Sequence, residues 1–193
     1  SRRVALTAAH FYGGYGGKQK SGLPFFVERL GSADLAGYTA HPSVRDVMLD
    51  AYVAYMELTL RTVRQATCDQ GVMVRGLLVI DASGARWSSL RHLGLLQAAS
   101  KIAVAHYPEL YEPIVIVNAP SVVATAWNFF KPFIPSETRK KISIVASHRT
   151  LTALSEHIAP EQIPSWLRGE QASCSSTSTA EISWLPRAER VEG

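Results

Sequence analysis

The chain has 193 residues with 47% hydrophobic content, and 20 lysines and arginines against 16 aspartates and glutamates give it a formal net charge of +4. This length and composition predict one domain with a buried core of its own. No apolar run reaches the roughly 18 residues of a membrane span, and the start Ser-Arg-Arg lacks the apolar stretch of a signal peptide.

The cysteines and the positive charge indicate where the chain works. Cys68 and Cys174 lie far apart and belong to no zinc or CxxC pattern, which favours a reducing compartment over a disulfide scaffold. We therefore expect a cytoplasmic protein. The basic balance favours contact with anionic surfaces, although a solvated basic face explains it as well.

Residues 1–22 are predicted to be a flexible N-terminal segment, because they hold closely spaced glycines beside lysines. These residues are Gly13, Gly14, Gly16, Gly17, Lys18 and Lys20. The Gly17-Lys18 pair suggests a phosphate-binding loop. Such a loop needs another Gly five residues earlier and a Ser or Thr directly after the Lys, and Tyr12 and Gln19 occupy those positions. A nucleotide-binding loop is therefore excluded.

Hydrophobic periodicity predicts alternating strands and helices. Short β-branched runs indicate buried strands, and apolar residues at helical spacing indicate helices that dock one face on a sheet. In chain order the predicted elements are a strand at 25–30, a helix at 43–66, a strand at 72–80, a helix at 88–105, a strand at 113–118, a helix at 120–133 and a strand at 142–146. This alternation predicts an α/β fold with a mainly parallel sheet over residues 24–146.

The helix predicted at 120–133 is unusually apolar. Pro120 suits its first turn, and Pro132 and Pro135 end it. Apolar residues wrap nearly all round it, namely Val122, Val123, Ala126, Trp127, Phe129, Phe130 and Phe133. Two interpretations stay open. One is ordinary core packing, and the other is a gate that also contacts a membrane, which Lys131 beside the aromatic rings favours.

The sequence offers little for catalysis. Asp81 ends the central strand and Ser83 follows it, where α/β proteins often place catalytic groups. No G-x-S-x-G elbow surrounds Ser83, and the histidines show no triad order. We therefore expect Asp81 to bond backbone amides in a turn, and we predict no enzyme activity.

Four short motifs in fixed order suggest a family. They are Tyr107-Pro-Glu109, Asn118-Ala-Pro120, Lys131-Pro-Phe133 and Thr138-x-x-Lys141. Together with residues 21–31, 77–81 and 158–169, this set resembles the CRAL-TRIO lipid-binding domain of the Sec-fourteen-like phosphatidylinositol transfer proteins. The resemblance covers about residues 12–170. It implies a CRAL-TRIO domain at 23–170, followed by a mobile Ser- and Thr-rich tail at 171–193.

The resemblance also implies where a ligand would lie. In phosphoinositide-binding members, the positions of Glu109, Thr138 and Lys141 hold an inositol phosphate head at the pocket rim. The alternative is a Glu109–Lys141 ion pair at the surface, worth only about 0–1 kcal/mol. The family often has Arg where this chain has Leu110, which is a departure from the pattern.

The strand before Asp81 bears on which ligand the pocket accepts. The resemblance places Gly76, Leu78 and Ile80 on the floor of a hydrophobic pocket. It also implies that the helix at 120–133 is a mobile gate over that pocket. Members that carry phosphatidylcholine have hydroxyl residues where this chain has Gly76 and Leu78. Phosphatidylcholine is therefore not expected, and a sterol-, retinoid- or tocopherol-like ligand has room instead.

The function that these patterns favour is non-catalytic binding of a phosphoinositide, or of another hydrophobic ligand, and its exchange with membranes. The expected partners are a phospholipid, with phosphatidylinositol favoured, and transiently a membrane surface. No nucleic acid, metal or other cofactor is expected. Two alternatives are a regulatory interaction module whose pocket is filled by side chains and an α/β hydrolase-like enzyme.

Overall fold

The computed structural model describes residues 13–167, which form a five-stranded sheet with helices on its faces. The strands are β1 (Gly13–Lys18), β2 (Pro24–Glu28), β3 (Gly76–Asp81), β4 (Tyr111–Val117) and β5 (Ile142–Ile144). They lie in sequence order across the sheet. β1 pairs antiparallel with β2, and the remaining pairs are parallel. The predicted α/β fold with a mainly parallel sheet is confirmed.

Helices connect the parallel strands, as crossovers in such sheets require, and one more helix follows the last strand. They are α1 (Leu35–Thr39), α2 (Pro42–Gln70), α3 (Leu93–His106), α4 (Ser121–Phe130), α5 (Ser136–Lys140) and α6 (Thr150–His157), with short 3₁₀ turns between several of them. The helix predicted at 43–66 is longer than expected. It ends only at Gly71, whose left-handed backbone closes it with an N–H donated to the Thr67 carbonyl at 2.9 Å.

The helix predicted at 120–133 is two pieces. α4 ends at Phe130, and residues Lys131–Phe133 form a 3₁₀ turn. Pro132 explains the change, because its ring cannot continue an α-helix and its nitrogen carries no hydrogen to donate. A similar 3₁₀ turn, Trp87–His92, precedes α3 where a continuous helix from residue 88 was predicted.

The prediction of a flexible segment is wrong for its last glycine-rich part, because Gly13–Lys18 forms strand β1. Gly16 packs directly under the Phe25 ring, and a Cβ added to Gly16 would overlap that ring. Gly16 therefore leaves room for the Phe25 side chain to lie over β1. The rest of the predicted flexible segment before Gly13, the tail at 171–193 and Cys174 lie outside the described residues.

The sheet separates two layers of core because successive side chains of a strand point to opposite faces. One face, which we call the α6 face, is formed by buried residues of β2, β3 and β4 and the C-terminal part of the domain: Phe25, Val27, Leu77, Val79, Val115, Val117, Leu154, Ile158, Ile163 and Leu167. The other, the cavity face, packs Phe26 and Leu78 against Tyr55, Met56 and Val63 of α2. Within residues 13–167 no helix is long and apolar enough to cross a membrane.

Candidate functional site

A cavity of about 280 Å³, the main cavity, lies on the cavity face of the sheet. Its floor is apolar and comes from β3, β4 and β5: Leu78, Ile80, Ile114, Ile116 and Ile142. Its walls and roof come from α1, α2, α3, α4 and the turn after α4, and include Leu35, Met48, Tyr52, Leu95, Trp127 and Ile134. A largely preformed apolar cavity with few polar groups is typical of a binding site for a hydrophobic molecule.

A smaller cavity of about 130 Å³, the side cavity, is continuous in lining with the main one. Both are lined by Ile80, Ile116, Trp127 and Phe130. The side cavity adds three further residues of α4, namely Val122, Val123 and Ala126. α4 therefore covers both cavities with one of its faces.

The seven residues predicted for the gate divide into two groups. Val122, Val123, Ala126, Trp127 and Phe130 line a cavity. Phe129 and Phe133 do not, and they expose 44% and 47% of their surface. Their ring centroids lie 5.8 Å apart, so the two rings form one apolar patch on the outside of the gate. Val122 is the one fully buried residue of α4.

Two of the three predicted floor residues line the main cavity. Leu78 and Ile80 do so, but Gly76 does not. Gly76 lies on the same face of β3 as Leu78 and Ile80, but the Phe26 ring covers it. A Cβ at Gly76 would lie 2.8 Å from that ring. The prediction that Gly76 forms part of the floor is therefore wrong.

The structure brings Glu109 and Lys141 together in a group of four charged side chains, which we call the charged cluster: Arg75, Glu109, Glu112 and Lys141. Lys141 Nζ lies 2.7 Å from Glu109 Oε2 and 3.3 Å from Glu112 Oε2. The Arg75 guanidinium lies 2.6 Å from the same Glu109 oxygen and 3.2 Å from Glu112 Oε2. Two cations and two carboxylates therefore balance each other.

The electrostatics of the charged cluster follow from these contacts. The hydrogen bond from Lys141 is the main reason why the pKa of Glu109 is lowered, and the Arg75 charge adds to it. The same hydrogen bond raises the pKa of Lys141. Both shifts favour the charged forms. Lys141 is the most enclosed member, with 16% of its side chain exposed, while Glu109 exposes 49%.

The charged cluster adjoins the main cavity in sequence, since Glu112 follows Tyr111 and Lys141 precedes Ile142, but none of its four members lines the cavity. The Ile114 N–H donates to the Lys141 carbonyl at 2.9 Å, and Ile114 and Ile142, the residue after Lys141, both line the floor. Thr138, the third predicted head-group residue, also lines the cavity. Among the hydrogen bonds of residues 13–167, none joins the Thr138 hydroxyl to Glu109 or Lys141. Of the three predicted head-group residues, Thr138 therefore lines the cavity and Glu109 and Lys141 do not, and the three do not form one hydrogen-bonded unit.

Glu109 has an unusual backbone for a non-glycine residue. Its φ is 61°, in the left-handed region. That conformation is uncommon outside Gly, Asn and Asp, and such residues concentrate at ligand clamps and active sites. It places the Glu109 carboxylate beside Arg75, which directly precedes β3.

The opposite end of the sheet holds a buried polar group around Asp81. Asp81 Oδ1 accepts the Ser83 N–H at 3.0 Å and the Asn118 side-chain amide at 3.0 Å. The Ser83 hydroxyl donates to Asp81 Oδ2 at 2.8 Å, and Thr150 bonds Asn118 at 3.0 Å. This confirms that Asp81 bonds a backbone amide in the turn. The Ser83 hydroxyl is bonded to a carboxylate here rather than to an imidazole.

Sequence reasoning missed Arg75, Glu112 and Glu28. Arg75 and Glu112 meet because the register places Gly76 beside Tyr111, and register is not visible in a single sequence. Glu28 lines the main cavity from β2. Its alternation with Phe26 was available as a signal, but the presence of a cavity on that face was not.

Comparison with known proteins identifies the family. The model of the CRAL/TRIO domain family matches residues 9–169. The chain therefore belongs to the CRAL-TRIO family of lipid-binding domains, and the resemblance seen in its motifs is confirmed.

Three relatives illustrate the match. A CRAL-TRIO domain-containing protein of Caenorhabditis elegans is 27% identical over 96% of this chain and 26% of its own length. The Sec14 cytosolic factor of Schizosaccharomyces pombe is 29% identical over 77% of this chain and 52% of its own length. A phosphatidylinositol/phosphatidylcholine transfer protein of Arabidopsis thaliana is 29% identical over 81% and 27%. The chain thus spans about a quarter to a half of the length of these relatives.

A solved structure shows the same fold. The crystal structure of Sfh5 superimposes with a TM-score of 0.61 at 17% identity, over 79% of this chain and 53% of that one.

Proposed function

We propose that this chain is a non-catalytic lipid-binding domain that holds a phosphoinositide, or another hydrophobic ligand, in the main cavity and exchanges it with membranes. The observation that carries the proposal is the apolar cavity under α4, together with a charged cluster whose members Glu112 and Lys141 directly adjoin lining residues. The apolar cavity suits the hydrocarbon part of such a ligand, and the cations of the charged cluster suit an anionic head group.

The charged cluster offers the chemistry that an inositol phosphate requires. Arg75 presents a planar fork and Lys141 a point charge to phosphate oxygens, and both are strong charge-assisted donors. The carboxylates of Glu109 and Glu112 accept hydrogen bonds from ring hydroxyl groups. Without ligand these groups compensate one another, so head-group binding exchanges internal ion pairs for contacts with the ligand.

The size of the main cavity supports the proposal that α4 moves when a large ligand is loaded. The volume of about 280 Å³ lies just below the roughly 300–1,000 Å³ of small-molecule sites, which suits a compact hydrophobic molecule. A phospholipid with two acyl chains requires α4 to shift outward. Each buried methylene contributes about 0.8 kcal/mol in the cavity or in a bilayer, so exchange is nearly balanced in energy and the gate sets its rate.

The exposed patch of Phe129 and Phe133 gives the gate a membrane-facing surface. Lys131 adjoins it, and aromatic rings with a neighbouring cation suit the interface between head groups and acyl chains. We propose that the domain binds membranes peripherally through this patch while it exchanges its ligand.

Organic extraction of the purified chain followed by lipid mass spectrometry tests the proposal. We expect a stoichiometric hydrophobic ligand, or uptake of phosphatidylinositol from liposomes when the chain is purified empty. A chain that carries no lipid and takes none up from liposomes would contradict the proposal and favour a regulatory interaction module with a filled pocket.

A further inference from the structure

One acidic side chain in the main cavity has no role in head-group binding. Glu28 is the last residue of β2, and Ile80 is its partner across the parallel ladder. It shares the cavity face with Phe26, two residues earlier, and lines the cavity together with Ile80 and Ile114. A carboxyl group therefore faces a space whose floor is otherwise hydrocarbon.

The surroundings of Glu28 contain several tyrosine hydroxyl groups and one cationic residue, Arg29, which also lines the cavity. Tyr55 of α2 lies near enough to lower the pKa of Glu28, and Tyr52 and Tyr111 line the same cavity. Within residues 13–167, no salt bridge involves Glu28. Among these residues Arg29 forms no salt bridge with Glu28, and its guanidinium lies 4.6 Å from the ring centroid of Trp166, which packs against the α6 face.

The protonation of Glu28 bears on which ligand it suits. Burial raises the pKa of Glu28 to about 7, while the nearby Tyr55 side chain acts in the opposite direction. Both the carboxylate and the carboxylic acid are therefore populated near neutral pH. A hydroxyl group matches either form, because it donates to the first and accepts from the second. An ammonium group matches only the carboxylate and loses more hydration on entering an apolar cavity.

We propose that Glu28 is the polar anchor for a hydrophobic alcohol, whose hydroxyl group bonds the Glu28 carboxyl while its hydrocarbon packs on Leu78, Ile80 and Trp127. This inference rests on the proposed lipid-binding function and names a ligand class for the same cavity. The anchor lines the cavity, whereas no member of the charged cluster does. A hydrophobic alcohol therefore competes with acyl chains for space but does not need Lys141 or Arg75.

Three probes of similar length separate the anchor from general hydrophobic binding: dodecanol, undecyl methyl ether and dodecane. Their affinities are measured by calorimetry at a pH of about 8.5, where Glu28 accepts hydrogen bonds but does not donate them. We expect the unmodified chain to bind the alcohol about five- to tenfold more tightly than the ether, as one net hydrogen bond allows. This ratio of affinities is measured on the unmodified chain alone, so it does not depend on whether a variant folds.

Two variants and a control locate the effect. In Glu28→Gln and Glu28→Leu the preference for alcohol should fall below about twofold, because the amide also donates to the ether and the leucine bonds neither. Glu28→Gln keeps the side-chain shape if Glu28→Leu impairs folding. Glu156→Gln, on the exposed side of α6 and thus on the far side of the sheet, should keep the preference of the unmodified chain.

The outcomes distinguish this inference from the proposed function. Equal affinities for alcohol and ether, with both bound, would overturn the Glu28 anchor and leave lipid binding intact. Tighter binding of dodecylamine than of dodecanol would overturn the choice of a neutral hydroxyl ligand. Failure to bind any probe, dodecane included, would contradict the lipid-binding cavity itself.

Discussion

Lys141 and Arg75 converge on a single oxygen atom, Glu109 Oε2, at 2.7 Å and 2.6 Å. The two cations come from different strands of the parallel sheet: Arg75 directly precedes β3 and Lys141 directly precedes β5. Glu109 precedes β4, which lies between them. The starts of three neighbouring strands thus bring two cations to one point beside the main cavity.

The first prediction concerns head-group binding. Lys141→Ala should weaken uptake of phosphatidylinositol by about 1.5–3 kcal/mol, or roughly ten- to a hundredfold, because it removes a charge-assisted hydrogen bond to the phosphate. The free energy of unfolding should change by less than about 1 kcal/mol, since exposed ion pairs contribute little. Transfer of a fluorescent phosphatidylinositol from liposomes measures the first quantity, and chemical denaturation measures the second.

Lys140→Ala is the matched control for that experiment. Lys140 is the neighbouring residue, is exposed and pairs with Glu137 at 2.8 Å, away from the charged cluster. It should leave uptake unchanged. If Lys141→Ala and the unmodified chain take up phosphatidylinositol equally, the cluster is only a surface ion pair.

The second prediction concerns the outside of the gate. Replacing Phe129 and Phe133 with Ser should reduce liposome binding and slow lipid exchange, with a small effect on thermal stability, because both rings are largely exposed. If the rings were core residues, each replacement would cost about 3–5 kcal/mol. Liposome cosedimentation and thermal unfolding measure the two effects side by side.

Val122→Ala is the contrasting variant on the same helix. Val122 is buried, so its truncation should lower the free energy of unfolding by about 1–3 kcal/mol and leave liposome binding nearly unchanged. In hydrogen exchange, α4 should exchange faster than β3 and respond to liposomes. Protection of α4 equal to that of β3, with or without liposomes, would show that α4 is a static part of the core.

The third prediction concerns pH. The pKa of Glu28 is raised from an ordinary 4.5 to about 7, so between these values the folded chain holds a proton that the unfolded chain has lost. The free energy of unfolding should therefore fall as pH rises through this window, by about 1–3 kcal/mol, and level off above it. Denaturation at a pH of about 5 and about 8 measures the difference.

Glu28→Gln supplies the comparison for the pH measurement. Its amide does not titrate, so the decrease attributed to Glu28 should disappear in the variant. An unchanged pH dependence would mean that another group causes it.

The fourth prediction concerns Gly76. Gly76→Ser should destabilise the fold by about 1–3 kcal/mol, because a Cβ there meets the Phe26 ring at 2.8 Å. It should not introduce phosphatidylcholine binding, since a hydroxyl at this position is covered by that ring. Transfer assays with labelled phosphatidylcholine, together with denaturation, check both parts. If the variant gains phosphatidylcholine transfer, Gly76 forms part of the cavity floor after all.

Much of the fold was predictable because its signals are local. The β-branched run around Val115 indicates strand β4, and the helical spacing of Val47 and Ala51 indicates helix α2. Neither signal depends on residues distant in sequence. β1 was missed because its glycines resemble a loop until the Phe25 ring is placed over Gly16. The helix at 120–133 was predicted too long because Pro132 permits a 3₁₀ turn after Phe130.

The site was predictable where a motif marks it. Glu109 and Lys141 came from the family pattern, and the structure places them in contact. Arg75 and Glu112 depend on the register between β3 and β4, and Glu28 matters only because α4 leaves space above it. These are consequences of tertiary packing, which a single sequence does not specify.

Photo-crosslinking with a phosphatidylinositol that carries a diazirine in its acyl chain tests the central claim most directly. If the main cavity holds the lipid tail, peptides that contain Ile80, Ile116 and Trp127 should carry the label after liposomes are removed. Free hydrophobic ligand should compete the label away. Label confined to Phe129 and Phe133, or absent once liposomes are removed, would contradict an internal lipid site.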